Sequence, residues 1–369
     1  MAEQTRRRKA DHILKCLNEP VQAKKATTGF EDIHFVHKAL PEIDKEKIDL
    51  NTYFLGHKFM APMMVGAMTG GTEEAKKINA NIAQAVEKLG LGMGVGSQRA
   101  AIEHPKLAET FWIARKKAPT AFIAANIGGV QLVHGYGIKE AREAVEMIDA
   151  DALAIHLNAL QEAVQPEGQT NFKGVLAKIA EIAAEIDVPV IVKETGSGIG
   201  AEEAEMLEDA GVKAIDVGGL GGTSFAAVEF HRTQIDDSNK NIGEIFWDWG
   251  IPAAVSLTEI AQSVKIPVVA SGGIRNGFDI AKALALNSSL TSLSHPILQA
   301  ANKSSAETET LLLRLTEELK IVMFLIGAEK IVSLPKIPLV LTGKTREWLK
   351  TRGFNTKVYA KRGAKSRGY

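Results

Sequence analysis

Short apolar runs recur along this chain, with helical stripes between them. The runs begin near Met63, Gly92, Phe122, Ala152, Val190, Ala214, Val268 and Leu290. The first four are about thirty residues apart, the size of one βα unit. Between them, Thr72 can cap a helix in which Ala75, Ile78, Ile82, Val86 and Leu89 share one face, and Gly90 can end it. Val175, Ile179, Ile182 and Ile186 form a second stripe, and Met206, Leu207 and Ala210 a shorter third before Gly211. A further helix begins near Asp279, and the last runs from Leu311 to Ile326. Eight strands alternating with helices predict an α/β fold, a closed parallel (β/α)8 or TIM barrel. A doubly wound open sheet is the alternative. On this division residues 1–60 are an N-terminal extension, 61–303 the barrel core and 304–369 the last helix with a C-terminal helical tail, all one domain. The segment from Trp247 to Pro252, in the long gap before the seventh strand, reads as a lid or an interface.

In such a barrel the reactive face lies at the carboxyl ends of the strands. Those ends carry Met68-Thr69, Ser97-Gln98-Arg99, Asn126, His156 with Asn158, Gln161 and Glu162, Lys193, Gly218, Thr223, Gly272-Gly273-Ile274-Arg275 and Ser294-His295. Any one polar strand end is equally a place where the chain meets water. Their coincidence on one rim is the argument for a site. Paired glycines allow a tight turn, and their N–H groups beside a helix N-terminus suit a phosphate. The seventh and eighth strand loops often form such a site, and Thr223 can add a hydroxyl. Lys193 closes the apolar run Val190-Ile-Val. At the barrel mouth it could form a Schiff base or stabilise an anion such as a reduced flavin. Thr69, Ser97 and Asn126 offer neutral donors and acceptors for a flavin edge. Glu162 is a candidate Mg²⁺ ligand. Arg8, Lys9 and His12 could grip a diphosphate, although a terminal basic run taken alone is usually a solvated tail.

Composition narrows the classes. The 369 residues carry 44 Lys and Arg against 44 Asp and Glu, which gives no reason to expect nucleic acid as a bulk partner. Basic charge gathers at both ends, in Arg6 to Lys9 and in Lys361, Arg362, Lys365 and Arg367. The single cysteine, Cys16, excludes an intrachain disulfide and a cysteine-built metal site. No apolar run is long enough for a membrane span, and no apolar stretch follows the N-terminal charges as in a signal peptide. A cytoplasmic enzyme is the expectation.

Several motifs together resemble one family. Arg8-Lys9-x-x-His12, Met68-Thr-Gly-Gly71, Gly96-Ser-Gln-Arg99, His156-Leu-Asn-x-x-Gln-Glu162, Gln165-Pro-Glu-Gly168, Val192-Lys-Glu194, Gly221-Gly-Thr223 and Ser271-Gly-Gly-Ile-Arg275 resemble signatures of type 2 isopentenyl-diphosphate isomerase. They occur in the family's order from about residue 7 to residue 353. The resemblance implies an FMN-dependent barrel that interconverts isopentenyl and dimethylallyl diphosphate, needs Mg²⁺ and works with flavin reduced by NADPH. It also implies a homo-oligomer, octamer or tetramer. Carried over, Ala67, Met68, Thr69, Ser97, Asn126, Lys193, Gly218 and Thr223 contact FMN. Gly273, Ile274, Arg275 and the backbone of Ser294-His295 hold its phosphate. Arg8, Lys9, His12, Ser97, Gln98, Arg99, Asn158 and Gln161 surround the substrate, Gln161, Lys193, His156 and Asn158 carry the chemistry, and Glu162 binds Mg²⁺.

The chain departs from the family at two places. Gly218 stands where many members have serine, and the run from Asn287 to His295 replaces a more usual Gly-Ala-x-x-x-Gly-x-Ala-Leu. Weaker phosphate retention is the expected consequence. An FMN-dependent oxidoreductase and a Schiff-base aldolase using Lys193 are the rival activities. A hydroxy-acid oxidase would need a histidine base and an arginine clamp late in the barrel, where His295 has no fitting motif.

Overall fold

The computed structural model describes residues 2–232 and 238–363; Lys365 and Arg367 of the basic tail lie outside the described residues. Eight parallel strands close into a barrel. They are β1 (Met63–Val65), β2 (Gly92–Gly94), β3 (Phe122–Gly128), β4 (Ala152–His156), β5 (Val190–Lys193), β6 (Ala214–Asp216), β7 (Val268–Ala270) and β8 (Leu290–Leu293). The barrel closes where β8 pairs with β1, with Thr291 opposite Met63. All eight expected strands are present, and the open-sheet alternative is excluded. Their residues are buried almost throughout, which explains why they read as continuous apolar runs and not as alternating ones.

The barrel interior is a core of its own, with Met64, Ala124, Ala152, Ile191, Ala214, Val269 and Leu290 pointing inward. Its amino-terminal end is plugged by a hairpin, Thr52–Phe54 with His57–Phe59, that the hydrophobic pattern did not reveal. Phe54 and Phe59 enter the bottom of the barrel, and Phe54 meets Phe122 edge to face at 5.9 Å between centroids. With the bottom sealed by aromatics, only the carboxyl-terminal mouth can admit a ligand.

The helices follow the expected stripes with two differences. Thr72 accepts from Ala75 N at 3.1 Å as the cap of Glu73–Leu89, and Gly90 ends that helix at φ +61°. The helix Ala201–Asp209 instead buries Ala201, Ala204 and Leu207, and Met206 is exposed. The spacing of three from Ala201 to Leu207 sets the buried face and leaves Met206 outside it. The last long helix runs over Ser305–Ile326, starting earlier than Leu311 because Ser304 caps it through Glu307 N at 3.1 Å. Beyond it, Leu339–Leu341 pairs antiparallel with Ile33–Phe35, so the segments before and after the barrel are tied together. No helix among the described residues is long and apolar enough to cross a membrane.

The Trp247–Pro252 segment, expected to be a lid or an interface, clamps the chain's own N-terminal arm. Trp247 is 3 % exposed, packs against Val21, Ala227 and Val228, and donates from Nε1 to Gln22 O at 2.8 Å. Asp248 accepts from Lys24 N and Lys25 N, each at 2.8 Å. This fixes the path of residues 21–25 and of the helix before them. Trp247→Ala is expected to lower stability by about 3–5 kcal/mol in chemical denaturation, the usual penalty for a truncated core aromatic; a change below about 1 kcal/mol would show the clamp to be incidental.

Candidate functional site

One cavity of about 260 Å³ lies at the carboxyl ends of the strands. Its walls come from strand ends, from the loops after β6 and β7, and from the N-terminal helix Ala2–Asn18, which crosses the mouth and contributes Arg8, Lys9, His12, Ile13 and Cys16. The terminal basic run is therefore part of the site and not only a solvated tail. Around the rim, Ala67, Met68, Thr69, Ser97, Arg99, Asn126, His156, Asn158, Gln161, Glu162, Lys193, Gly218, Thr223, Gly273, Ile274, Arg275, Ser294 and His295 all line the same space.

Gln98 is the one expected site residue that does not. It is fully buried, donates from Nε2 to Ala144 O at 2.7 Å and accepts from Asn126 N at 2.9 Å. It faces the helix behind the barrel and holds Asn126 from behind. Its neighbours in the motif, Ser97 and Arg99, face the cavity, because chain turning into a helix at Arg99 cannot present three consecutive side chains to one side.

Asn126 and His156 are coupled. Asn126 Nδ2 donates to Val95 O at 3.1 Å, so its Oδ1 is left to accept from His156 Nδ1 at 2.9 Å. That arrangement assigns the proton to Nδ1 and leaves Nε2 bare. Burial, then the neighbouring Lys193, pushes the His156 imidazole down to about 3. His156 is thus a neutral acceptor across the whole ordinary pH range.

At the next strands, Lys193 Nζ donates to Glu194 O at 2.7 Å. The Glu194 carboxylate is folded away from the cavity into a turn, accepting from Thr195 N at 2.6 Å and Gly196 N at 2.7 Å. Asp216, which closes β6 as Lys193 closes β5, is 7 % exposed and hydrogen-bonded by Ser271 Oγ. Burial raises its pKa, against the opposing charge of Lys193 and the Ser271 hydroxyl. A buried acid therefore shares the barrel mouth with the lysine. The signal for Asp216 was present in the sequence: an acid ending an apolar run, as Lys193 does.

The glycine loops after β6 and β7 touch backbone to backbone. A Cβ on Gly222 would lie 2.6 Å from Gly273 N, and one on Gly273 (φ +84°) would lie 2.6 Å from Gly221 O. Only glycine fits this joint. Beside it, Arg275 donates to Ile274 O at 3.2 Å and to Gln22 Oε1, and Gln22 Nε2 donates to Thr223 Oγ1 at 3.3 Å. Gln22 was not visible as a site residue, since only the path of the arm brings it here. Arg275 makes no ion pair among the described residues, and burial lowers its pKa. A half-buried guanidinium with glycine amides nearby fits the phosphate of FMN.

The two departures have physical explanations. A Cβ on Gly218 (φ +51°) would stand 2.3 Å from the Glu194 carbonyl, so serine cannot occupy this backbone without displacing Glu194. Asn287 adopts φ +81° just past the helix Gly277–Ala285, a conformation asparagine tolerates better than most residues in place of glycine. The hydroxyls of Ser292 and Ser294 fill the space over Gly66, where a Cβ would lie within 2.8 and 2.4 Å of them.

On the opposite arc, near β2 and β4, lie Arg8, Lys9, Arg99 and Glu162. Lys9 Nζ donates to Ser97 O and sits 5.1 Å from the Phe111 ring centroid. Arg99 pairs with Glu103 at 2.7 Å, and His12 with the buried Glu229 at 2.8 Å. Asn158 Nδ2 donates to Gln161 Oε1 at 3.1 Å and to Glu162 Oε1 at 3.0 Å. No group of three or more acids, histidines or cysteines poised for a metal occurs among the described residues. A cation here would rest on Glu162 with neutral oxygens and ligand phosphates, the donor set Mg²⁺ commonly takes. Two buried amide oxygens near Glu162, Asn158 Oδ1 and Gln165 Oε1, lack any partner, which fits such an ion.

Known proteins agree with this architecture. Residues 1–117 and 138–337 match the family described as FMN-dependent dehydrogenase. The fold resembles the crystal structure of mandelate oxidase, with a TM-score of 0.60, 20% identity and coverage of 92% of this chain and 98% of that one. At that identity the likeness concerns the fold alone. The chain is 50% identical to an isopentenyl-diphosphate delta-isomerase of Methanothermobacter thermautotrophicus over 96% of its length and 99% of the relative's. It is 49% identical to one of Pyrococcus furiosus, over 98% and 92%. A flavin-type barrel with nearly full-length identity of this degree belongs to the type 2, FMN-dependent isopentenyl-diphosphate delta-isomerase family.

Proposed function

We propose that this protein interconverts isopentenyl and dimethylallyl diphosphate, with FMN reduced by NADPH and Mg²⁺ bound at Glu162. The observation that carries the reading is the division of one cavity into two phosphate-compatible arcs. The Arg275 and glycine joint lies at the ends of β6 and β7. The Arg8, Lys9, Arg99 and Glu162 group lies across the barrel near β2 and β4. One arc would hold the flavin phosphate and the other a substrate diphosphate, leaving the space between them for the flavin ring and the isoprenoid. The same reading takes residues 1–369 as one catalytic domain of a cytoplasmic homo-octamer or tetramer, which light scattering of the purified protein would check.

An unactivated alkene needs a proton at one carbon and loss of one from another. Reduced FMN, when bound, would supply that acid–base capacity. Lys193 would balance negative charge on the reduced ring from the barrel mouth. Asn158 orients Gln161 and Glu162 together through its amide. Neutral His156 can accept a hydrogen bond without adding charge. Holding the small isoprenoid by its diphosphate converts binding into positioning. The helix crossing the mouth helps exclude water.

Lys9 gives the substrate arc a pH dependence. Burial, then Arg8 and further Arg99, lowers its pKa to about 7 despite Glu103. A bound diphosphate would restore opposite charge and raise that pKa, so binding above pH 7 takes up a proton. Affinity then falls as pH rises, by up to about tenfold per unit for one linked proton. Calorimetry with inorganic diphosphate on the FMN-loaded protein should show this, and Lys9→Met should flatten it. An affinity constant between pH 6 and 9 in the unaltered protein would refute the assignment.

Two assays test the reading as a whole. Isopentenyl diphosphate should be isomerised with Mg²⁺ only when FMN is reduced; equal turnover with oxidised flavin, or none with reduced, would sink it. Glu162→Gln should lose turnover by about two orders of magnitude while keeping its flavin spectrum. Loss of flavin in that variant would show Glu162 to be a cofactor residue instead.

A further inference from the structure

The surroundings of Glu162 contain a residue that neither the motif roles nor the mechanism uses. Glu162 is 7 % exposed, and its hydrogen-bond partners among the described residues are all neutral. Asn158 Nδ2 donates to Oε1 at 3.0 Å, while Gln165 Nε2 at 2.8 Å and Gln169 N at 2.7 Å donate to Oε2. No ion pair engages this carboxylate among the described residues. A carboxylate only accepts, so both amides must present their NH₂ groups to it and turn their oxygens elsewhere. Flipping either amide would set a carbonyl against the carboxylate. The assignment of the oxygens is therefore forced, and both of them, Asn158 Oδ1 and Gln165 Oε1, are buried without a partner.

The loop that brings Gln165 here is built tightly. Gly168 N donates to Gln165 O at 3.0 Å, and a Cβ on Gly168 would lie 1.8 Å from Glu162 O. On its outer side Glu167 is gripped by Arg232 at 2.7 and 2.8 Å. The loop thus wraps Glu162 in a fixed shape and leaves two acceptors unused next to one anion. A divalent cation that keeps part of its water shell satisfies all of them together. The carboxylate takes the ion, and the ion's waters donate to the amide oxygens.

We propose that Gln165 is a further residue of the cation site. Its Nε2 positions Glu162, and its Oε1, with Asn158 Oδ1, accepts from water held by the cation. This rests on the reading of Glu162 as the metal ligand.

The test uses the FMN-loaded protein with Mn²⁺ as probe and inorganic diphosphate present, and reads free Mn²⁺ by electron paramagnetic resonance. If the unaltered protein binds no Mn²⁺, the Glu162 reading itself falls. Given binding, Gln165→Leu should weaken it by about 10- to 100-fold with the flavin spectrum and melting temperature unchanged. Gln165→Met, of nearly the same shape but with no oxygen or N–H, should weaken it by a similar factor. Constants within twofold of the unaltered protein in both variants would overturn the proposal, and so would weakening accompanied by loss of flavin or a lowered melting temperature, which would mark a packing role. If Gln165→Leu does not fold, Gln165→Met decides alone, and unchanged binding there overturns it equally.

Discussion

The site depends on one close contact, the meeting of two glycine loops and the N-terminal arm. Gly221 and Gly222 touch Gly273 at distances that admit no side chain, and a Cβ on Gly221 would also lie 2.4 Å from Thr28 N. Backbone at such range forms a rigid joint. Because Thr28 is caught in it, the arm can follow one path only. Gln22 falls between Thr223 and Arg275, and the helix before it falls across the barrel mouth. The cations of that helix owe their position to glycines more than two hundred residues away.

Strand order and the carboxyl-end rim were legible because each strand is buried on both sides and therefore marked by an unbroken apolar run. The glycine loops were legible because their composition admits few other uses. Contacts that require the path of the whole chain were not. The Phe54 and Phe59 plug sits in a stretch with no strong alternation, and its aromatics mean nothing until a barrel end lies above them. The pairing of Ile33–Phe35 with Leu339–Leu341 joins segments that have no local mark of each other. Gln98 shows the converse limit: within Ser97-Gln-Arg99 residue identity suggested three ligands, but backbone direction turns the middle one away from the cavity. Gln165 carries no chemical mark in sequence, since an orphaned oxygen exists only in three dimensions.

Charge is distributed around the mouth by burial as much as by sequence. His156 is kept neutral by the lysine beside it and by its burial, while Glu194, adjacent to Lys193 in sequence, is consumed by backbone N–H groups. Asp216 remains as a buried acid at the barrel mouth. The mouth therefore offers cations at two opposite edges, with Lys193 and Asp216 of opposite sign and the neutral His156 and Asn126 between them.

The crossing helix also bears on how the molecule is made. His295, just beyond the last strand, donates from Nε2 to the Cys16 carbonyl at 3.0 Å. The helix that carries Arg8 and Lys9 can make this contact only once residue 295, 279 positions further along the chain, is in place. Until then the cavity lacks the wall which that helix supplies, so the pocket is completed late by contacts distant in sequence.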